Sequence, residues 1–150
     1  IYLEWSTTNE IGILDYDIEQ YKWNHWVSVG QVRGKGRETM NKYSFKVPLH
    51  SGINKFRVTQ TDNSGKKRIS AEVIQESKIQ EFSMTPTTVR DDIFFYSGGK
   101  KAKTRYEVYD AFGNLLKVGF ANHVDCRNIV NGIYYMNYDN KNEKFLKASE

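Results

Sequence analysis

The sequence has little of what disulfide-rich, membrane-spanning or helical proteins need. Its single cysteine, Cys126, cannot form an internal disulfide, and only two prolines occur in 150 residues. No apolar run approaches the roughly 20 residues of a transmembrane helix, and no charged-then-apolar signal segment stands at the start. No segment keeps a helical period. We therefore expect no transmembrane segment and no helical domain.

The positive charge is neither large nor concentrated. The formal net charge is +4, and the densest basic runs are residues 33–37, 66–68 and 100–103. Each run lies in a segment that contains glycine, which predicts exposed hairpin tips, where lysines favour solubility and discourage edge pairing. Because no recognition helix or basic face accompanies these runs, we expect no nucleic-acid partner.

What the sequence does have is aromatic residues in short alternating runs, with ten Tyr, eight Phe and three Trp. Tyr16 and Ile18 alternate with Asp15, Asp17 and Glu19, as in strands that bury one face. The pattern predicts an all-β chain of two consecutive antiparallel, immunoglobulin-like β-sandwiches. The predicted domains are residues 1–75 and 76–150, joined by a short, fairly stiff linker near residues 71–78.

The second domain contains seven candidate strands, each stopped by turn residues. They are residues 79–83, 92–96, 105–109, 115–120, 123–126, 133–138 and 144–147. Gly113-Asn114 and Asn131-Gly132 supply positive φ for tight hairpins, and Asp110 can accept hydrogen bonds from the turn amides that follow it.

The same alternation predicts which side chains form the two cores. In the first domain the predicted core residues are Trp5, Ile18, Trp26, Tyr43 and Phe56. In the second they are Phe94, Val108, Leu116, Ile133 and one of the neighbours Tyr134 and Tyr135.

Residues 1–75 resemble a fibronectin type III-like domain of Bacteroidota exported proteins. The resemblance is carried by residues 3–10, 16–21 and 26–29 and, most distinctively, by residues 54–65, where Phe56-Arg57-Val58 leads through Gln60 and Asp62 to a glycine turn. It implies that Trp26 faces Trp5 in the core. It also implies that the first strand of a complete domain is missing, so we expect the chain to be a C-terminal piece of a larger protein.

Residues 76–150 resemble the C-terminal sorting domain of proteins exported through the type IX (Por) secretion system of the Bacteroidota. Three pieces carry the likeness: Tyr109-Asp110 with Gly113, Gly132-Ile133-Tyr134, and a closing basic strand with Lys144 and Lys147. The opening turn departs from the family, because only Pro86 is kept and Thr87 stands at or beside the place of the second proline.

This resemblance implies a role in delivery and the residues that serve it. The expected function is a non-catalytic spacer plus secretion signal that follows an upstream domain and is exported through the periplasm to the cell surface or beyond. The implied partners are the type IX translocon and outer-membrane shuttle and sortase proteins. The implied recognition residues are Pro86, Thr87, Asp110, Gly113, Gly132, Tyr134, Lys144 and Lys147.

Catalytic and metal-binding alternatives find little support. Cys126 beside Asp125 reads as a small buried hydrophobe, and His123, three residues before it, would lie on the other strand face. The acidic face formed by Asp15, Asp17 and Glu19 lacks the folded loop that supplies calcium with about six to eight oxygens. We expect no enzyme activity, cofactor or metal.

A different class of function stays open, namely an adhesive or carbohydrate-binding surface module. Residues 21–26 are aromatic and polar, and rings of this kind can stack on sugars. Since the resemblance puts Trp26 in the core, Trp23 is the one ring of the stretch expected to be exposed for sugar stacking. Exposed coplanar aromatic rings would favour this alternative over the sorting role.

Overall fold

The computed structural model describes residues 1–10 and 12–149. Its regular elements in these ranges are all β-strands, so the all-β prediction is confirmed. The chain separates into two compact units: residues 1–49 with 53–76, and residues 50–52 with 77–150.

The first unit contains β1 to β7. The strands are β1 (Tyr2–Thr7), β2 (Asp15–Lys22), β3 (His25–Arg33), β4 (Asn41–Lys46), β5 (Ile53–Thr61), β6 (Lys67–Ile69) and β7 (Val73–Glu76). β1 and β4 form a two-stranded antiparallel sheet. A second sheet has the order β3-β2-β5-β6, and β7 also pairs with β5.

The two sheets of the first unit enclose its core. Along β1 and β4, buried or partly buried side chains alternate with exposed ones, because successive side chains point to opposite faces. The buried apolar residues are Leu3, Tyr16, Ile18, Tyr43, Val47, Phe56 and Val58. At the edge of this core, the Trp5 ring stacks on Tyr43 at 5.3 Å and meets Tyr16 edge-on at 5.7 Å between ring centroids.

The second unit contains β8 to β16. The strands are β8 (Phe82–Thr85), β9 (Thr88–Val89), β10 (Asp92–Ser97), β11 (Lys100–Lys101), β12 (Thr104–Asp110), β13 (Leu115–Ala121), β14 (His123–Asp125), β15 (Gly132–Tyr138) and β16 (Lys141–Lys147). Each of the seven predicted strands overlaps one of these, and the two-residue strands β9 and β11 were not predicted.

Two sheets form the sandwich of the second unit. A five-stranded sheet has the order β13-β12-β15-β16-β9, and a four-stranded sheet joins β11, β10 and β14, with β8 also pairing with β10. Pairing is antiparallel except between β16 and β9, which run parallel. Both sheets contribute to one core of Phe82, Met84, Val89, Ile93, Phe95, Val108, Val124, Cys126, Tyr134, Met136, Tyr138 and Phe145.

Several core predictions are confirmed. Ile18, Tyr43, Phe56, Val108 and Tyr134 are buried in their cores. Trp5 is partly buried and packs against the first core.

Four core predictions are wrong, because in each case the predicted side chain lies on the strand face that points away from the core. Leu116 and Ile133 are exposed, and Phe94 lies between the two buried residues Ile93 and Phe95. In runs such as Ile93-Phe94-Phe95, where three neighbours are apolar, alternation alone does not say which of them faces inward.

The fourth is Trp26, which does not face Trp5. It lies opposite Tyr21 in the β2–β3 pair and meets the Tyr21 ring edge-on at 5.3 Å. The Arg57 guanidinium lies 4.2 Å from the Trp26 ring centroid, on the face where Glu19 accepts a 2.7 Å hydrogen bond from Arg57. Trp26 therefore belongs to the outer, charged face of the larger sheet.

Gly34 gives a test of how closely the first unit packs. Its N–H donates to the Leu14 carbonyl at 3.0 Å, and a Cβ atom on Gly34 would lie 2.3 Å from that oxygen. We expect Gly34→Ala to lower the free energy of unfolding by about 1–3 kcal/mol, because backbone must move to admit the methyl group. Denaturant unfolding measures this. The exposed Ser44→Ala variant should stay within about 0.5 kcal/mol of the native chain, and an equally small effect at Gly34 would contradict the close approach.

A candidate recognition surface at one end of the second unit

One part of the candidate recognition surface is the hairpin tip between β12 and β13, which Asp110 closes through hydrogen bonds. Asp110 Oδ1 accepts hydrogen bonds from the Phe112 and Asn114 amides, both at 2.9 Å, and Oδ2 accepts one from Asn114 Nδ2 at 2.9 Å. Gly113 has a φ of 84°, which a residue with a Cβ reaches only at a steric cost. The predicted turn chemistry of Asp110 is confirmed.

These hydrogen bonds also fix the charge at the tip. Donation from the Asn114 side chain, and then from the backbone amides of the turn, holds the pKa of Asp110 below its ordinary value. Asp110 is therefore an ionised carboxylate at neutral pH. The first unit repeats the arrangement at Asp62, whose Oδ1 accepts from the amides of Ser64 and Lys66 at 2.9 Å.

Strand register brings the separated pieces of the sequence to one end of the five-stranded sheet. Asp110 of β12 lies opposite Tyr134 of β15, and Gly132 of β15 lies opposite Lys147 of β16. Residues that are 24 and 15 positions apart in sequence thus become neighbours across adjacent strands.

The predicted opening turn joins the same end. The Leu146 amide donates to the Thr87 carbonyl at 2.8 Å, and the Ala148 amide donates to the Val89 carbonyl at 3.0 Å. The peptide bond between Thr85 and Pro86 is cis. The opening turn and the closing strand are consequently in direct backbone contact.

Burial separates these residues into two groups. Pro86, Thr87, Gly113 and Lys144 are exposed, and Asp110 and Gly132 are partly exposed. These six can meet a partner through side chain or backbone.

Tyr134 and Lys147 cannot make such contact, because each is 4% exposed. The Tyr134 hydroxyl donates to the Val130 carbonyl at 2.6 Å, and its ring stacks on Phe145 at 5.5 Å between centroids. Lys147 Nζ donates to the Arg90 carbonyl. Both side chains hold this end of the sheet together from inside.

The predicted sugar-stacking ring is not displayed. Trp23 is 8% exposed, and Lys22 Nζ lies 4.3 Å from its ring centroid. Trp23 and Asn24 have φ values of 56° and 65° in the two-residue turn between β2 and β3. In this left-handed turn the Trp23 ring is buried. The expectation of an exposed ring at position 23 is therefore wrong.

A polar cluster in the first unit was missed by sequence reasoning. The Tyr43 hydroxyl donates to Glu10 Oε2 at 2.5 Å, and Thr7 Oγ1 donates to the same oxygen at 2.5 Å. Beside it, a groove of about 390 Å³ is lined by residues that include Trp5, Tyr16 and Glu10. The sequence gives no signal for this cluster, because Glu10 and Tyr43 are 33 positions apart.

The polar cluster shifts the pKa values of both Glu10 and Tyr43. Burial would raise the pKa of Glu10, but hydrogen bonds from Thr7, Tyr43 and the Gly36 amide outweigh it, and the net pKa lies below 4.5. Burial, and then donation to Glu10, raises the pKa of Tyr43 to about 12. The pair is a carboxylate and a neutral phenol over a wide pH range.

The histidines and the cysteine each have separate surroundings. His25 Nδ1 lies 3.0 Å from the Trp23 carbonyl, His50 Nδ1 lies 2.7 Å from the Ser51 carbonyl, and His123 Nδ1 lies 3.0 Å from Asn122 Oδ1. Cys126 Sγ lies 3.7 Å from the Val124 carbonyl. Within residues 1–10 and 12–149, no three His, Cys, Asp or Glu side chains are grouped to hold a metal ion.

A scan against protein-family models finds no match to this chain, and a search of curated proteins finds no significant match. The resemblance of each half to a family therefore stays a prediction. In the described part of the chain, no helix has the length and apolar character needed to cross a membrane.

Replacing Tyr43 by Phe tests the polar cluster. The variant keeps the ring on Trp5 but loses the donor to Glu10, so we expect a loss of about 1–2 kcal/mol in the free energy of unfolding at neutral pH. Because the folded pKa of Glu10 is depressed, this contribution is present above pH 4.5 and fades as the pH falls through the folded value. Denaturant unfolding across this pH range measures it. Tyr2→Phe, at an exposed ring, should leave the curve unchanged. Because Tyr43→Phe also removes the acceptor of the Lys35 amide at 2.8 Å, part of the loss is independent of pH. A loss with no pH-dependent part would contradict the assignment.

Cys126 should be a poor nucleophile in the folded chain. Burial raises the pKa of its thiol from 9.0 to about 11, and the residue is 1% exposed. We expect a thiol reagent at neutral to mildly alkaline pH to label folded Cys126 at least about 100-fold more slowly than the unfolded chain. A cysteine at the exposed position 130, introduced by Val130→Cys, should react rapidly without denaturant. Equal rates at positions 126 and 130 would show that the native thiol is accessible.

Proposed function

We propose that this chain is the non-catalytic C-terminal region of a larger exported protein and carries an outer-membrane secretion signal of the type IX kind. The first unit acts as a spacer between the signal and an upstream domain. The second unit is the signal, recognised by the type IX translocon and by outer-membrane shuttle and sortase proteins. In this proposal the protein passes through the periplasm to the cell surface or the medium.

One observation carries the proposal. The three sequence pieces that carry the resemblance converge with the altered opening turn on one end of one sheet, around Thr87, Asp110, Tyr134 and Lys147. A folded signal needs such convergence, because a partner protein contacts a continuous surface and not a set of sequence motifs. The exposed members, with Lys144 as the cation, form the surface that a partner would touch.

Burial suggests two different roles for the predicted recognition residues, direct contact with a partner and support of the strands. Pro86, Thr87, Gly113 and Lys144 are accessible and are proposed to make contact. Buried Tyr134 and Lys147 serve recognition by keeping the strands that present these residues in register. Recognition through edges and hairpin tips suits this end, where an open, shallow depression of about 510 Å³ is lined by residues that include Arg90, Val130 and Lys147.

The alternative of a carbohydrate-binding module is not favoured. Its proposed ring, Trp23, is buried, and the exposed Tyr21 ring meets the partly buried Trp26 ring at 69° between ring planes. Rings at such an angle do not offer the coplanar platform that sugar stacking requires.

Export of a reporter tests the proposal. The full 150-residue chain is fused to the C-terminus of a reporter that has its own signal peptide, in a type IX-competent bacterium, and surface and medium fractions are assayed. Deleting residues 143–150 should abolish delivery, because it removes most of the strand between β15 and β9. Deleting residues 1–75 should leave delivery largely intact, since a spacer gives reach and not recognition.

A point variant separates recognition from folding. Lys144→Glu reverses an exposed charge and should lower delivery at least about tenfold, since charge reversal disfavours the partner's complementary surface. Lys103→Glu, an equally exposed site in the same unit, is the matched control and should export normally. Delivery that survives loss of the terminal strand but fails without residues 1–75 would show that the signal lies in the first unit.

A further inference from the structure

Lys147 is a buried cation without an acid of its own. It lies two residues after Phe145 on the inner face of β16 and is 4% exposed. Its Nζ donates to the Arg90 carbonyl, and no carboxylate of the described residues forms an ion pair with it. A buried charge is costly unless an opposite charge compensates it, and a single carbonyl oxygen does so only in part. An uncompensated positive charge therefore lies at this end of β16.

The depression of about 510 Å³ at this end of the sheet is lined mainly by cations among its charged residues. Three of them, Arg90, Arg127 and Lys147, stand against one acid, Asp91. Arg90 is exposed, and within residues 1–10 and 12–149 its guanidinium takes part in no ion pair. The Arg90 side chain is therefore available to a ligand, directly beside the carbonyl that holds Lys147.

The acids of this region act mainly on Arg127. Arg127 Nε and Nη2 donate to the two carboxylate oxygens of Asp125, both at 3.0 Å. These hydrogen bonds, and then the charges of Asp125, Asp92 and Asp91, raise the pKa of Arg127 above its ordinary value. Arg127 is thus compensated by acids of the chain, whereas the other two cations of the depression are not.

We propose that this depression binds a phosphate group, which Arg90 contacts and the buried charge of Lys147 attracts. A guanidinium donates two parallel hydrogen bonds to phosphate oxygens. Arg127 adds a donor from another side, because Asp125 accepts from its Nε and Nη2 and leaves Nη1 to a ligand. Lys147 acts through its charge and not through contact, since its side chain is buried and charges interact more strongly away from bulk water.

A phosphate suits these groups better than a carboxylate does. A phosphate monoester carries about −1.5 to −2 charges at neutral pH and presents three oxygens, so it can compensate both Arg90 and Lys147 and meet donors from several sides. A carboxylate carries one charge and presents two oxygens in one plane, which a single guanidinium satisfies. Free phosphate and the headgroup of a phospholipid share this chemistry. The site is independent of export, because binding is measured on the purified chain.

Titration of the purified full chain with inorganic phosphate tests the site. Amide NMR shifts are followed near neutral pH and at constant ionic strength, with sodium acetate as the carboxylate control. We expect saturable shifts confined to residues 90–91, 127–131 and 147–149, with a dissociation constant on the order of 1 mM. Shifts that do not saturate, shifts equally large at the three basic runs elsewhere in the chain, or equally tight binding of acetate would overturn the proposal.

Two variants separate the contact from the buried charge. Arg90→Gln removes the guanidinium, and Lys147→Met removes the charge but keeps an unbranched side chain. Each should raise the dissociation constant for phosphate at least about fivefold. Lys103→Gln, at an exposed site in the same unit, is the matched control and should leave the constant unchanged. The amide spectrum without phosphate reports whether each variant is folded, and Arg90→Gln decides the question if Lys147→Met is not. Native-like phosphate binding by Arg90→Gln overturns the proposal.

Vesicles distinguish the two sources of the phosphate group. Phosphatidylcholine vesicles that contain phosphatidic acid expose a phosphate monoester, whereas those that contain phosphatidylserine expose negative charge without a monoester. Stronger co-sedimentation of the native chain with the phosphatidic acid vesicles, reduced by Arg90→Gln, assigns the site to a lipid headgroup. Equal co-sedimentation with both, together with saturable binding of inorganic phosphate, assigns it to a soluble phosphate.

Discussion

The second unit depends on the register of β15 between β12 and β16. In that register Tyr134, Met136 and Tyr138 point into the core, while Ile133 and Tyr135 point outward. A slip of one residue would exchange the two sets, exposing three large buried side chains and burying two others on the wrong side. The same register sets Asp110 beside Tyr134 and Gly132 beside Lys147, so the candidate surface exists only while the core is correctly packed.

Buried polar groups hold that register from within. The Tyr138 hydroxyl donates to Glu143, and burial, followed by the interaction with Glu143, raises the pKa of Tyr138. The Asp139 amide donates to Thr104 Oγ1 at 2.9 Å. Such groups are costly to bury without partners, so each correct pair disfavours a slipped alignment in which the partners would be lost. In the first unit, Gln20 Nε2 has the same role, donating to Asn54 Oδ1 at 2.9 Å.

The outer faces of the two large sheets differ in how their aromatic and aliphatic residues are covered. In the first unit Trp26 lies under Arg57, which is itself paired with Glu19, so the ring belongs to a charged surface. In the second unit Leu116, Val118 and Phe120 have no such cover.

Alternation and turn residues in the sequence were enough to predict strands, the hairpin at Gly113 and the all-β class, because the period of two and a glycine turn are local properties. The tight hairpin predicted at Asn131-Gly132 is wrong, because β14 pairs with β10 whereas β15 pairs with β12 and β16, and the φ of Gly132 is 157°. Local pattern also predicted how Asp110 closes its turn. Which face of a strand is covered depends on the opposite sheet, so the sequence misplaced Trp26, Phe94, Leu116 and Ile133. Trp23 was predicted to be exposed but is buried. The left-handed turn at Trp23 and Asn24 contains no glycine, so the sequence did not indicate it. The contact of Glu10 with Tyr43, and of Thr87 with Leu146, joins residues distant in sequence, and only the tertiary structure decided them.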